Sequence, residues 1–306
     1  MYVNEAAHLL KKGEVVAFPT ETVYGLGADA WNSSAIKKVF EIKGRPSDNP
    51  LIVHIHSKKD IQSFAMDISD YAALLMDIFW PGPLTLVLKK RPEVLDSVTA
   101  GLGTVALRIP NHPIALQLLK LTGALVAPSA NRSGKPSSTK AQHVIEDFGS
   151  SFPVIDGMAT EIGLESTVID VSSQIPVILR PGAISKKQLE EVLGIRIVES
   201  FSQTSATPKS PGQKYSHYKP NAAVSWLPTD VPPTKENALY LLQNPAIEIS
   251  NQICYHGDLN AMARELYDRF RQADLDGFEE IIIELLPTSH SLYTALTNRI
   301  SKAIDT

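Results

Sequence analysis

The stretch TVALRIPNHPIALQLLKLTGALVAPSA, residues 104–130, carries a strand, a helix and a second strand in direct succession. TVALRIP and ALVAPSA are short runs rich in apolar and β-branched residues and bounded by Pro, Ser or Asn, as strands usually are. HPIALQLLKLTG, between them, repeats apolar side chains at helical spacing and ends at Gly123, a residue that favours a helix C-terminus. This succession predicts an α/β fold.

The same alternation continues through the first 200 residues. Further strand patterns are EVVAFPT, LIVHIH, LTLVL, STVIDV and PVILRPG. Helical patterns occur in SSAIKKVFEIKG, for which Ser33 is the predicted N-cap, and in SDYAALLMDIFW. Residues 1–200 are therefore predicted to form an α/β domain built on a twisted, open sheet.

A second, smaller domain is predicted to follow a linker. Residues 201–220, FSQTSATPKSPGQKYSHYKP, are rich in Ser, Thr, Pro and Lys and lack apolar periodicity. Residues 221–306 show strand patterns at NALYLL and EEIIIELLP, and helical patterns at LNAMARELYDRFRQADLDG and SLYTALTNRISKAI. We expect a small Rossmann-like α/β unit there.

Composition restricts the class of protein. The 306 residues are 43% hydrophobic and 20% charged, with a net charge of −4, so no overall basic field indicates nucleic-acid binding. The N-terminus lacks the order of a signal peptide, and the apolar runs are too short to span a bilayer, so we expect a cytoplasmic protein without membrane contact. The single cysteine, Cys254, excludes an internal disulfide or a cysteine zinc cluster, and we expect it to be a small buried apolar residue.

Familiar catalytic motifs are absent or weak. GLGADA (25–30) formally matches the dinucleotide fingerprint, but the next strand ends in His54 and His56, without the acidic residue that a ribose needs. SGKPSST is not a phosphate loop, because Ser129 stands where its first glycine belongs. The two histidines share a strand face, but no third metal ligand accompanies them, so a metal site is not predicted.

Cations and hydroxyls recur instead at strand ends, where ligands bind in open α/β sheets. They are Lys43, Arg45, Arg108 and Arg180, with Thr20, Thr22, Thr104, Ser129, Ser138, Ser166 and Thr167. Guanidinium groups suit carboxylate and phosphate oxygens, so the set fits a nucleotide triphosphate and a small zwitterion. Any one arginine near a strand end is more often part of a surface salt bridge, so the interpretation depends on the whole set.

Seven of these segments resemble, in order, the YrdC-type threonylcarbamoyl-adenylate synthase family. They are FPTETVYGLGADA, KGRPSDNPLIVHI, WPGPLTLVL, VALRIPNHP, APSANRSGKPSST, ESTVID and LRPGAIS. SPGQKYSHYKP is similar to the linker of the two-domain form, and residues 221–306 resemble its accessory domain more loosely, through ARELYDRFRQADLDGFEEIIIE and TNRISKA. The chain departs from the family at LPTSHSLYTAL, where a glycine-containing segment is usual, and at Gln213, where methionine is usual.

The resemblance implies an enzyme that converts L-threonine, bicarbonate or CO2, and ATP into threonylcarbamoyl-adenylate and pyrophosphate. Its product would be used by tRNA threonylcarbamoyl transferase proteins, so tRNA is an indirect partner, and Mg2+ would accompany ATP. The threonine-binding residues implied are Thr22, His54, Arg108, Ser129 and Ser166. The nucleotide-binding residues implied are Lys43, Arg45, Asn49, Thr104, Asn131, Ser138 and Arg180. The sequence shows no dedicated nucleophile or general base.

The linker is unusually rich in chemistry for a tether. Its aromatic residues suit contact with a nucleotide, and the resemblance favours a lid that closes over the adenylate, with Tyr215 the first expected contact and Tyr218 the second. Composition alone is also compatible with a semi-rigid spacer.

Three other functions are less compatible with the sequence. A hydrogenase-maturation carbamoyltransferase contains a related domain but needs cysteine pairs for zinc, which this chain lacks. A non-catalytic RNA-binding module predicts an extended basic surface, which the net charge of −4 does not favour. A dinucleotide oxidoreductase depends on the incomplete fingerprint alone.

Overall fold

The computed structural model describes residues 1–200, 218–228, 235–245 and 250–304. In the first domain the described residues form one mixed sheet in the order β1-β2-β6-β3-β5-β4-β7-β8-β9. Its strands are β1 (Val16–Phe18), β2 (Gly25–Asp29), β3 (Ile52–His54), β4 (Leu84–Lys89), β5 (Thr104–Arg108), β6 (Leu125–Val126), β7 (Thr167–Asp170), β8 (Val177–Arg180) and β9 (Val198–Glu199). Its helices are α1 (Val3–Lys11), α2 (Ser33–Lys43), α3 (Asp70–Phe79), α4 (Asp96–Thr99), α5 (Pro113–Thr122), α6 (Ala141–Phe148) and α7 (Lys186–Leu193).

The second domain is built on a smaller parallel sheet in the order β10-β13-β11-β12. Its strands are β10 (Ala223–Trp226), β11 (Ala238–Leu242), β12 (Gln252–Cys254) and β13 (Glu280–Ile283), and its helices are α8 (Leu259–Asp276) and α9 (Tyr293–Ile304). The predicted fold class, with two α/β domains, is confirmed. Residues 201–217 of the expected linker lie outside the described residues. The boundaries at residues 200 and 220 stay predictions. No helix among the described residues has the length and apolar composition needed to cross a membrane.

Two local expectations are wrong, and the weak motif match at GLGADA is a strand. The N-cap of α2 is Asn32, whose side chain accepts hydrogen bonds from the amides of Ser34 and Ala35, and Ser33 is the first helical residue. GLGADA, whose match to the dinucleotide fingerprint is only formal, contains no turn between a strand and a helix, because Gly25–Asp29 forms β2 and pairs with β1. Cys254 is not buried in an apolar core; it is partly exposed on the edge strand β12, and its thiol lies 3.3 Å from the Gln243 carbonyl.

The two faces of the large sheet have different neighbours. Successive side chains of a strand point to opposite faces, so Val53 and Leu107 join the main helix-covered core. Ile52 and Ala106 belong to a small apolar cluster on the other face. The parallel pairing of β3 with β5 places His54 opposite Arg108 at the ends of both strands. A polar site can therefore form on this second face.

The second domain packs directly on the first. Val23 and Leu164 of the first domain belong to the hydrophobic core of the second. At Gly163 (φ +79°) the backbone is so close to α8 that an added Cβ would lie 2.6 Å from the Arg264 carbonyl oxygen. This contact places α8 against the segment that leads into β7.

Candidate functional site

A cavity lies on the second face of the large sheet of the first domain. Its lining consists of Thr20, Thr22, Val23, Tyr24, Gly25, Arg45, Ile52, His54, Arg108, Ala127, Pro128, Ser129, Asn131, Lys135, Ser137, Glu165, Ser166, Arg180 and Tyr218. All five residues expected to bind threonine are in this set. Three of the residues that the resemblance assigns to ATP, Arg45, Asn131 and Arg180, also line it, as does Tyr218 of the expected linker.

Arg108 is held by several groups at the end of β5. Its Nε donates to the Gly82 carbonyl at 3.2 Å, and its Nη1 donates to the Thr22 hydroxyl at 2.8 Å. Thr22 in turn lies 2.9 Å from the hydroxyl of Thr20, which donates to the Val23 carbonyl at 2.7 Å. This chain of hydrogen bonds fixes the guanidinium in one orientation before any ligand arrives.

The remaining nitrogen of Arg108 faces a buried carboxylate. Nη2 lies 2.7 Å from Glu21 Oε1, and both side chains are almost fully buried, at 4% and 3% exposure. Neither carboxylate oxygen nor Nη2 has a hydrogen bond of acceptable geometry. Glu21 therefore balances the charge of Arg108 without saturating its donors, and Nη2 is left with hydrogen-bonding capacity.

His54 presents a neutral imidazole beside this arginine. Burial, together with the charge of Arg108, lowers the pKa of His54 from 6.5 to about 3. Its Nδ1 has no hydrogen-bond partner. A neutral ring offers one donor and one acceptor, which suits a hydroxyl or an amine more than a carboxylate.

Ser166, one of the five residues expected to bind threonine, contacts Arg180, which is expected to bind the nucleotide. Arg180 donates from Nε to the Ser166 carbonyl at 3.1 Å and from Nη2 to the Ser166 hydroxyl at 3.0 Å. The Thr85 hydroxyl lies 2.7 Å from the same Ser166 hydroxyl. A shift of Ser166 would therefore also move Arg180.

Lys43 lies directly behind the cavity wall. Its ammonium donates to the backbone carbonyls of Ser129 and Asn131 at 2.6 and 2.5 Å. Burial and the neighbouring charge of Arg45 lower the pKa of Lys43 from 10.5 to about 7. Such an amine responds strongly to any anion that enters the cavity.

The other expected nucleotide residues are less directly placed. Asn49 is buried with both amide atoms unpaired, and the Ser138 hydroxyl donates to the Ala130 carbonyl at 2.8 Å. Thr104 starts β5, on the same strand face as Arg108 but about 13 Å along the strand. Tyr215 lies outside the described residues.

The sequence did not single out Glu165, a carboxylate in the cavity wall. It accepts a hydrogen bond from the Ser137 hydroxyl at 2.5 Å, and two side chains of the second domain also donate to it, Tyr267 and Arg299. Burial alone would raise the pKa of Glu165, but the charges of Arg299 and Arg180 outweigh it and hold the pKa at about 2. Glu165 is therefore ionised near neutral pH.

The donor set offers little to a protein-bound metal ion. Within the described ranges, no group of three or more His, Cys, Asp or Glu side chains could hold one. Glu165 is the one carboxylate among the residues that line the cavity, and its oxygens already accept from Ser137, Tyr267 and Arg299.

Two family models match the chain. The model described as Telomere recombination covers residues 8–182, and the one described as Threonylcarbamoyl-AMP synthase, C-terminal domain, covers residues 184–304. Threonylcarbamoyl-AMP synthase of Bacillus subtilis is 43% identical over 98% of this chain and 92% of its own length. The protein of that name from Pyrococcus abyssi is 44% identical, over 98% and 93%.

A solved structure is similar over both domains. The crystal structure of P. abyssi Sua5 complexed with L-threonine superposes with a TM-score of 0.89 at 40% identity. The match covers 99% of this chain and 94% of that one.

Proposed function

The chain belongs to the threonylcarbamoyl-AMP synthase family, and from this premise we propose that it converts L-threonine, bicarbonate and ATP into threonylcarbamoyl-AMP, pyrophosphate and water. The observation that supports this most directly is the composition of the cavity. One cavity gathers hydroxyls, a neutral histidine and a fixed arginine at one place, and two further arginines beside them. A zwitterion and a polyphosphate together require such a combination.

The Arg108 side of the cavity is the proposed threonine site. Arg108, held by Gly82 and Thr22, would receive the carboxylate on the nitrogen that faces Glu21. The neutral imidazole of His54 would contact the threonine hydroxyl or amine. Ser129 and Ser166 would supply the remaining polar contacts.

The proposed nucleotide site contains Arg45, Asn131 and Arg180, with Lys43, Asn49, Ser138 and Thr104 behind or beside it. Tyr218 would cover the nucleotide from the linker side. We propose that Mg2+ enters with the triphosphate and is held by phosphate oxygens and water, as magnesium commonly is in nucleotide sites. The carboxylate of Glu165 already accepts hydrogen bonds from Ser137, Tyr267 and Arg299, so it is not proposed as a ligand of this Mg2+.

The reaction then needs positioning and charge stabilisation. Bicarbonate takes up a proton and loses water, which gives CO2. The threonine ammonium loses one proton, its nitrogen bonds to CO2, and a second proton leaves the nitrogen as the carbamate forms. A carbamate oxygen attacks the α-phosphorus in line as the bond to pyrophosphate breaks. Negative charge accumulates on the leaving phosphates, where Arg45 and Arg180 would stabilise it. Holding the reactants together can contribute an effective molarity of about 10⁵ M or more.

Pyrophosphate release tests the proposed reaction. The full chain should release pyrophosphate from ATP only when threonine and bicarbonate are both present. Serine in place of threonine is an informative control, because it keeps the zwitterion and the hydroxyl but lacks the methyl group. Release that does not depend on threonine and bicarbonate together would exclude this function.

The fate of the product is a further part of the proposal. Threonylcarbamoyl-AMP would pass to tRNA threonylcarbamoyl transferase proteins, which makes tRNA an indirect partner, and the reaction would take place in the cytoplasm with ATP and tRNA. A non-catalytic RNA-binding module would need an extended basic surface, which a net charge of −4 does not favour.

ATP binding should take up protons because of Lys43. With a pKa of about 7, this amine is mostly neutral in the free protein at about pH 8, and the negative charge of the triphosphate should raise its pKa. Isothermal titration calorimetry in two buffers of different ionisation enthalpy measures the uptake, as a dependence of the binding enthalpy on the buffer.

Two comparisons test whether the proton taken up on ATP binding goes to Lys43 or to another group. The uptake should disappear at about pH 6, where Lys43 is protonated before ATP arrives. The Lys43→Met variant has no amine at this position, so the proton uptake assigned to Lys43 should be absent at both pH values. Equal uptake by the wild type and by Lys43→Met would assign the proton to another group.

A further inference from the structure

The second domain holds part of the cavity wall through one buried arginine. Arg299 lies on α9 and is fully buried. Its Nε donates to Glu165 at 2.8 Å, and its Nη2 donates to the Pro181 carbonyl at 2.9 Å. The two acceptors lie on opposite sides of Ser166 and Arg180 in the chain, so one guanidinium spans both segments that carry these cavity residues.

Arg299 also supports the part of the linker that the structure describes. Its guanidinium carbon lies 5.3 Å from the centre of the Tyr218 ring, and the ring of Tyr267 stacks on Tyr218 at 5.3 Å with 22° between the planes. Tyr218 has a φ of +69°, a conformation that a non-glycine residue adopts only when its surroundings hold it there. Arg299 and Tyr267 therefore help to fix the side chain of Tyr218, which lines the cavity.

The charge of Arg299 keeps Arg180 available for a ligand. Glu165 is the carboxylate of the wall and is ionised, and its nearest cations include both Arg299 and Arg180. Without Arg299, the buried carboxylate would lack its main counter-charge and would attract Arg180 away from Ser166. Both proposed sites would change, because Ser166 belongs to the threonine set and Arg180 to the phosphate set.

We propose that Arg299 is a positioning residue for the reaction: by holding Glu165, Pro181 and Tyr218, it makes the second domain a structural part of both substrate sites. This inference rests on the proposed synthase function. It assigns the second domain a role in catalysis that neither tethering the linker nor recruiting a partner would require.

Arg271 provides a matched control. This second buried arginine lies on α8, donates to Asp147 at 3.0 and 2.9 Å and to the Pro136 carbonyl at 2.6 Å, and so also joins the two domains. Its partners do not line the cavity. Replacing either arginine by methionine leaves a first-domain carboxylate without its counter-charge, but only Arg299 contacts residues of the cavity wall.

The test is steady-state pyrophosphate release by the full chain. A lower folded fraction reduces the apparent kcat and leaves KM unchanged, so KM separates positioning from simple docking. Arg299→Met should raise KM for both threonine and ATP at least roughly tenfold, whereas Arg271→Met should leave both within about twofold. Arg299→Lys keeps the charge and should recover part of the loss.

The possible results distinguish a failure of the positioning role of Arg299 from a failure of the proposed synthase function. Unchanged KM values for Arg299→Met, or equal increases for Arg271→Met, would overturn the positioning role. If Arg299→Met does not fold, the same decision rests on Arg299→Lys, whose KM values should still exceed those of the wild type. Wild-type protein that releases no pyrophosphate with threonine and bicarbonate would instead refute the proposed function itself.

Discussion

Replacing Arg108 by methionine should raise the KM for threonine by roughly 10–150-fold, because a hydrogen bond to a charged group contributes about 1.5–3 kcal/mol. The KM for ATP should change by less than about threefold, because the proposed triphosphate contacts come from other cations. Arg108 is fixed by Gly82 and Thr22 before binding, so its contribution includes little ordering cost. Steady-state pyrophosphate release at varied threonine, and then at varied ATP, measures both values.

The buried partner of Arg108 complicates this variant. Removing one member of a buried ion pair typically costs about 3–5 kcal/mol of stability, because the other charge is left unpaired. Glu21 would be that charge, with 2% of its surface exposed. The double variant Glu21→Gln/Arg108→Met removes both charges and should recover much of the lost unfolding free energy.

The double variant separates stability from binding. If Arg108 binds the threonine carboxylate, the threonine KM should stay high in the double variant although its stability recovers. Denaturant unfolding measures the stability and the same turnover assay measures KM. Equal increases in the KM for threonine and for ATP would contradict the assignment of Arg108 to threonine.

Regular periodicity explains which elements could be predicted. The helix over HPIALQLLKLTG is present as α5, with Gly123 following its last residue, and the predicted helix after residue 258 is α8. β2 was missed because GLGADA has neither β-branched residues nor a polar alternation; it is a strand because β1 and β6 pair with it on either side. Tertiary pairing, rather than local propensity, determines such a strand.

Site residues were likewise predictable from local sequence patterns but not when they depend on contacts between distant parts of the chain. Arg108, Ser166 and Arg180 could be found because each stands at or beside the end of a recognisable strand. Glu165 is adjacent to Ser166 in ESTVID, but its main counter-charge, Arg299, is 134 residues away in the chain. No single-sequence pattern predicts that pairing, so the contribution of the second domain to the cavity became visible only in three dimensions.

Gly182 is a position in the cavity wall segments where a single added methyl group has no room. A Cβ built there would overlap the Thr167 amide nitrogen and lie 2.6 Å from both the Glu165 carbonyl oxygen and the Ser166 carbonyl carbon. All of these are backbone atoms, which cannot rotate away as the end of a side chain can. Gly182→Ala must therefore displace the segment that carries Glu165 and Ser166 or the segment that carries Arg180.

We expect Gly182→Ala to destabilise the protein by about 3 kcal/mol, the upper part of the range for overpacking. The surviving folded protein should also show raised KM values for both substrates, because the displaced segments belong to both proposed sites. Thermal or denaturant unfolding gives the first quantity, and pyrophosphate release at varied threonine and ATP gives the second.

Gly103→Ala is the matched control for this steric argument. An added Cβ at Gly103 would have no heavy atom within 4 Å, and Gly103 is not among the glycines with positive φ. The same chemical change should therefore leave stability and both KM values close to those of the wild type. If Gly182→Ala behaves like Gly103→Ala, the contact between the Arg180 segment and the Glu165 segment is not as tight as the structure has it. The route by which Arg299 acts on both substrate sites would then lose its physical basis, since that route depends on the two segments moving together.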